Sequence, residues 1–104
     1  MLFVINNCIK NYKSGVVTDF KGECGCTGLR QNHAVTIVGF GQDTSEGILC
    51  NKYWLVKNSW GMNWGEKGFM RVCRDDDQLA NGTCEIRKEA ILPVGGNNAL
   101  ISKI

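Results

Sequence analysis

The sequence predicts a mostly β architecture, antiparallel and with little helix. Three observations carry that expectation: a single proline, 13 glycines in 104 residues, and several short apolar runs separated by turn signals. Leu2 to Ile5 reads as a first strand and Cys8 to Tyr12 as a short helical turn, closed by Ser14-Gly15. A loop rich in Gly and Cys runs from Lys21 to Gly28. Ala34 to Phe40 is a near-continuous apolar run with β-branched members, the pattern of a strand buried on both faces, and Gly39 and Gly41 end it. Gln42 to Asn51 is a polar turn. Lys52 to Lys57 and Phe69 to Arg74 both alternate, and the Gly61 to Gly68 loop between them makes an antiparallel pair. Asp75 to Thr83 is a polar excursion, Ile86 to Val94 a last strand, and Gly95 to Ile104 a loose tail.

At 104 residues the chain is the size of one domain, with room for a single core and not for two lobes. Hydrophobic residues at 43% and charged residues at 21% are ordinary for a globular protein and exclude a disordered or membrane-spanning composition. The net charge of +2 is spread along the chain, so no basic stripe points to nucleic acid or to a membrane surface. Six cysteines favour an oxidising compartment, lysosomal, vacuolar or extracellular. Asn81-Gly82-Thr83 is a candidate glycosylation acceptor in a polar stretch. Met1 to Ile5 has no basic segment and is too short an apolar run for a signal peptide, so either the chain is a fragment of a longer precursor that carries the export signal, or the cysteine count misleads about the compartment.

The most informative stretch is Asn58-Ser59-Trp60-Gly61-Met62-Asn63-Trp64-Gly65-Glu66-Lys67-Gly68, whose tryptophans and glycines follow no propensity rule. It is preceded by Asn32-His33-Ala34-Val35 and by Val38-Gly39-Phe40-Gly41. Together these resemble the papain family of cysteine proteases, with its (Asn/Asp)-His-(Ala/Gly)-Val and Asn-Ser-Trp-Gly-x-x-Trp-Gly segments. The resemblance runs from Phe3 through Tyr12-Lys13-Ser14-Gly15 to Cys84 and Leu92-Pro93-Val94. It implies the α+β papain-like fold, of which residues 1–94 are the mostly antiparallel, barrel-like C-terminal β lobe, with 95–104 as the tail.

The resemblance further implies that His33 is the catalytic base and Asn58 the residue that orients its ring, with Trp60, supported by Trp64, covering their contact. The chemistry suits the pair. A thiolate is the nucleophile of such enzymes, and an adjacent imidazolium holds a cysteine far below its ordinary pKa, as in papain. An amide suffices as third member because the ion pair already exists and the residue mainly orients. The nucleophile itself is missing. The family's cysteine lies in a Gln-x-x-x-x-x-Cys-Trp segment well over a hundred residues before the histidine; Cys24-Gly25-Cys26-Thr27 lacks that glutamine and the following aromatic, and lies just before His33.

The cysteines are therefore read as structural. In the family a cysteine before the histidine is bridged to one ahead of the last strand, which implies Cys24 or Cys26 with Cys84. Cys50 and Cys73 flank the two alternating strands and form a second candidate pair. Zinc is a rival use of Cys24-x-Cys26, but the spacing is unusual and the one histidine is committed, so no metal or organic cofactor is expected. Counting from Cys84 places Glu89 where the family lines its S2 pocket, a carboxylate that would accept Arg at P2, unless it is simply a solvated strand residue. Ala34 and Val35 would belong to the same pocket wall or to the core beneath it.

The expected function is thus a cysteine endopeptidase acting through an acyl-enzyme, this chain supplying His and Asn. Its partners would be a peptide or protein substrate, the N-terminal cysteine-bearing lobe, and a propeptide or cystatin-type inhibitor. The alternative is a truncated, non-catalytic relative that binds a protease, a propeptide or an inhibitor through the exposed lobe interface.

Overall fold

The computed structural model describes residues 2–3, 6–28, 31–75, 79 and 82–88. Among them, strands dominate. β1 (Leu2–Phe3) pairs antiparallel with β3 (His33–Ala34), and a four-stranded sheet runs in the order β2 (Val16–Val17), β6 (Phe69–Cys73), β5 (Lys52–Lys57), β4 (Thr36–Gln42). β4, β5 and β6 are antiparallel neighbours, whereas β2 joins β6 in parallel. The helix is a single turn, α1 (Asn7–Lys10), and a short 3-10 turn spans Thr83–Glu85.

α1 forms because its first turn is capped: Asn6 Oδ1 accepts the Ile9 amide at 3.4 Å, and Lys10 stands at the negative end of the helix. Its buried residue, Ile9, joins Val17, Val35, Val56, Met70, Val72 and Ile86 in one core with the sulfurs of Cys24, Cys26 and Cys84. β6 follows the alternation read from its sequence, with Met70 and Val72 fully inside, whereas in β5 Tyr53, Trp54 and Leu55 are all half-buried and Val56 alone is fully inside.

Two expectations are corrected. β4 is not buried on both faces: Val38 is 49% exposed and Phe40 72%. An antiparallel sheet covered on one side turns alternate residues to water, and apolar content alone cannot distinguish the two cases. Phe40 finds lateral contacts instead, edge-on to Trp54 at 6.4 Å, with the Arg74 guanidinium over both rings. The strand expected from Ile86 begins as a turn, since the Ile86 amide donates to Thr83 O and the Lys88 amide to Glu85 O. Those i to i−3 bonds use the donors a ladder would need. The remaining residues of that strand, 89–94, and the tail 95–104 lie outside the described residues.

Two polar clusters tie the loops to this frame. Asp19, 3% exposed, accepts four backbone amides: Cys24 and Gly25 on Oδ1 at 3.0 and 2.8 Å, Cys26 and Thr27 on Oδ2 at 3.1 and 2.7 Å. Burial alone would raise its pKa, but the hydrogen bonds from Thr27, Gly25 and Cys24 outweigh that and hold it below the ordinary value. The second cluster centres on Arg71, which donates to Asp43 Oδ2 at 2.7 Å and to Glu66 Oε1 and Oε2 at 2.9 and 3.0 Å. Glu66 Oε2 also accepts the Gly15 amide, and Tyr12 OH donates to Gly15 O at 2.6 Å while receiving the Arg71 amide. Burial, foremost, pushes the Tyr12 phenol up to about 12, so it stays a donor at every physiological pH.

Asp19→Ala leaves four amides without their acceptor and is expected to cost about 3 kcal/mol or more, read as a lower urea midpoint. The Arg71 cluster makes a pH prediction. Burial opposes ionisation of Glu66, yet Arg71 and the Gly15 amide hold its pKa below the ordinary 4.5. A depressed carboxylate contributes stability above its unfolded pKa and loses it as pH falls through the folded one. The wild type should therefore lose its advantage over Glu66→Gln, about 1 kcal/mol at neutral pH, as the pH drops below about 4.5. Parallel urea titrations of the two proteins across that range check the sign.

Candidate active site

His33 and Asn58 are 25 residues apart in the chain, and the sheet brings them together. Thr36 in β4 stands opposite Lys57 at the end of β5. Asn58 is the next residue after Lys57, and His33 lies three before Thr36, on a β3 held by its pairing with Phe3. His33 Nε2 sits 2.9 Å from Asn58 Oδ1, with Asn58 5% exposed and the His33 ring half-buried.

The orientation of the amide is settled locally. Asn58 Oδ1 also accepts the Ser59 amide at 2.7 Å, which only the carbonyl end of the side chain can do. A neutral His33 must then donate to the same oxygen, so its proton sits on Nε2 and Nδ1 keeps its lone pair. Asn58 Nδ2 is buried without a partner among the described residues. An orphaned donor of this kind costs about 1–3 kcal/mol.

The aromatic motif builds a wall beside this pair. The Trp60 ring lies 5.3 Å from the His33 ring, Trp64 meets Trp60 edge-on at 5.2 Å, and Tyr12 backs Trp64 at 5.5 Å. Trp64 is anchored further by its indole N–H, which donates to Ile9 O at 3.2 Å. Two glycines explain the motif's spacing. Gly65 has φ +60, and a Cβ there would fall 2.7 Å from Phe69 O and 3.0 Å from the Tyr12 ring. Gly68 has φ +91, and its carbonyl receives the Asn58 amide at 3.1 Å, so the loop closes directly onto the residue that holds His33. Trp60 remains 38% exposed, leaving apolar surface next to the imidazole, and Met62 in the same loop is 76% exposed.

All six cysteines are in disulfides: Cys8–Cys24, Cys26–Cys84 and Cys50–Cys73. Of the two bridges left open for Cys84, the structure takes Cys26, and Cys50 meets Cys73 across the end of the β5–β6 pair. Cys8–Cys24 was not foreseen; the signal was there in an even count of cysteines with Cys8 left over and two half-cystines in Cys24-x-Cys26. The sulfurs of Cys24, Cys26 and Cys84 lie within 4.8 Å of one another, close enough for a thiolate metal set, but each is committed to a bridge.

Other sequence candidates fall in different places. Ala34 is exposed on β3 beside His33, while Val35 is 5% exposed and belongs to the core. Glu89 and Asn81 lie outside the described residues. Sequence reasoning also passed over Asp19 and Glu85. Glu85 is buried at φ +63, directly after Cys84 at φ +54; its Oε1 accepts the Gly28 amide at 2.7 Å and its carbonyl accepts Gln31 Nε2 at 3.0 Å. Those bonds and the Cys26–Cys84 bridge fasten the segment that delivers His33. Nothing in a lone glutamate next to a cysteine advertises such a role.

Long-range nitrogen–proton correlation of the His33 ring, at a pH where it is neutral, tests this tautomer. The expected pattern is protonated Nε2 with unprotonated Nδ1. In Asn58→Ala the preference should weaken.

A family model described as papain family cysteine protease matches residues 1–94. Fruit bromelain of Ananas comosus is 43% identical over 95 residues, covering 89% of this chain and 24% of that protein. Chymopapain of Carica papaya is 47% identical over 85 residues, covering 82% of this chain and 21% of that protein. Among solved structures, the bromelain protease of Ananas comosus in complex with the E64 inhibitor is similar with a TM-score of 0.64 at 44% identity, over 82% of this chain and 35% of that one. Digestive procathepsin L2 from Tenebrio molitor gives a TM-score of 0.61 at 34% identity, over 82% of this chain and 23% of that one. The chain thus spans about a quarter of the length of these curated relatives.

Proposed function

Because the chain belongs to the papain family of cysteine proteases, we propose that it is the histidine-bearing lobe of a cysteine endopeptidase, with His33 as base and Asn58 as its orienting partner. The observation that carries this reading is the 2.9 Å contact from His33 Nε2 to an Asn58 oxygen whose orientation the Ser59 amide sets. Nδ1 is then the ring atom free to take a proton from a thiol.

In the proposed reaction that proton moves from a cysteine thiol to His33 Nδ1, giving a thiolate beside an imidazolium. The thiolate adds to the scissile carbonyl. As the tetrahedral adduct collapses, the imidazolium returns the proton to the departing amine and leaves a thioester. Water, deprotonated by the same Nδ1, then releases the acid and regenerates the thiol. Asn58 accepts from Nε2–H throughout and so keeps the ring in one plane, while Trp60 limits competition from water for that hydrogen bond.

The nucleophile is proposed to come from a cysteine-bearing lobe outside these residues, since all six cysteines here are bridged. The exposed Trp60 beside His33, with the exposed Met62 two residues on, offers apolar surface against which such a lobe would pack. E64 bound to bromelain and the proform of the Tenebrio proteinase are properties of those proteins; an inhibitor and a propeptide are the matching partners proposed for this one. Three disulfides in so short a chain support an extracellular, lysosomal or vacuolar setting. No helix among the described residues is long and apolar enough to cross a membrane. Glu89 is proposed to favour Arg at P2 by pairing with its guanidinium.

Titration with a cysteine-directed epoxide tests the reading. The purified chain should take up no stoichiometric label and cleave no peptide. Joined to a family lobe that carries the Cys-Trp helix, it should bind one epoxide per molecule, and His33→Ala should abolish turnover in that assembly. Stoichiometric labelling of the chain alone at Cys24 or Cys26 would overturn it.

A further inference from the structure

We propose that the Cys8–Cys24 bridge is a modification site for low-molecular-weight thiols, and that thiolation of Cys8 there is passed inward as a rearrangement of Cys26–Cys84. Three observations meet at this point. Cys8 is exposed on α1, whereas Cys24, Cys26 and Cys84 are 9%, 0% and 0% exposed. The bridge therefore joins the sulfur of a surface residue to that of a buried one. That buried sulfur lies within 4.8 Å of both sulfurs of the second bridge. Finally, Cys24 is held in place by bonds that do not involve its sulfur: Asn6 Nδ2 donates to Cys24 O at 2.9 Å, and Asp19 accepts the amides of Cys24 through Thr27.

The exchange balances with one external thiol and no oxidant. A small-molecule thiolate attacks the sulfur of Cys8, forming a mixed disulfide there and expelling Cys24 as a thiolate into the cluster. Released in its original position, Cys24 attacks one sulfur of Cys26–Cys84. A new bridge from Cys24 forms, the other sulfur leaves as a thiolate, and it takes up the proton that the external thiol gave up. The disulfide count is conserved if the mixed disulfide is included. Cys50–Cys73 stays out of this chemistry, because both its cysteines are buried and neither belongs to the sulfur cluster. The consequence falls on the candidate site, since Cys26–Cys84 fastens the segment that leads into His33.

The test uses the oxidised chain with glutathione as the probe at about pH 8, where a thiol of ordinary pKa is substantially ionised. After quenching with a maleimide, peptide mapping locates each modification. The expected product carries glutathione on Cys8 and maleimide on Cys26 or Cys84, with Cys50–Cys73 intact. Maleimide confined to Cys24 would show that the exchange stops at the surface bridge and would overturn the relay. Glutathione on a cysteine other than Cys8, or no adduct at all, would overturn the site itself.

Discussion

The register between β4 and β5 is the constraint on which the rest depends. Thr36 opposite Lys57 places Asn58 just past the last paired residue of β5 and lets β3 deliver His33 alongside it. A slip of one residue would displace the two by about 3.3 Å and turn alternate side chains to the opposite face. It would also undo the interior. Ile37 of β4 packs against the core that holds Val56, Met70 and Val72 only in the observed pairing. An irregularity between Ile37 and Gly39 adjusts β4 within this register, as bulges do where a strand must bend.

A core of this size leaves little surplus stability, and the molecule supplements it with covalent and ionic ties. Each fastens a loop to the sheet. Asp19 organises the Cys24 to Thr27 segment by gathering four amides, and that segment then meets the Cys84 turn through Cys26. Arg71 links β6 to Glu66 in the tryptophan loop and to Asp43 after β4. Partly exposed ion pairs of this kind contribute modestly one by one, and their worth here lies in connecting three segments through a single guanidinium.

The surroundings of His33 show where local preference yields to the demands of a site. Asn58 spends its carbonyl on two donors and leaves its amide nitrogen buried and, among the described residues, unpaired. Cys84 and Glu85 occupy consecutive left-handed conformations that non-glycine residues avoid. A large apolar ring, Trp60, stays partly in water. Each departure from local consistency adjoins the imidazole or the loop that positions it, which is where functional proteins tend to accept such costs.

The sequence by itself determined the mostly β class and the strands β5 and β6, and through the motifs that surround them it singled out His33 and Asn58, which the fold brings within 2.9 Å of each other. These were legible because period-two burial and an improbable spacing of Trp and Gly are written in consecutive residues. The tertiary structure alone decided what depends on partners distant along the chain. β4 turns Val38 and Phe40 outward, a fact absent from their hydropathy. The two-residue β2 pairs in parallel with β6, too short to announce itself by any period. Cys8 joins Cys24 across a sequence separation of 16, and Asp19 becomes a hub for the Cys24 to Thr27 amides, because the loop between them folds back on itself, which no periodicity announces. A pairing flagged by local motifs could be read in advance; contacts that depend on how the chain closes on itself could not, since they exist only once the fold sets their groups side by side.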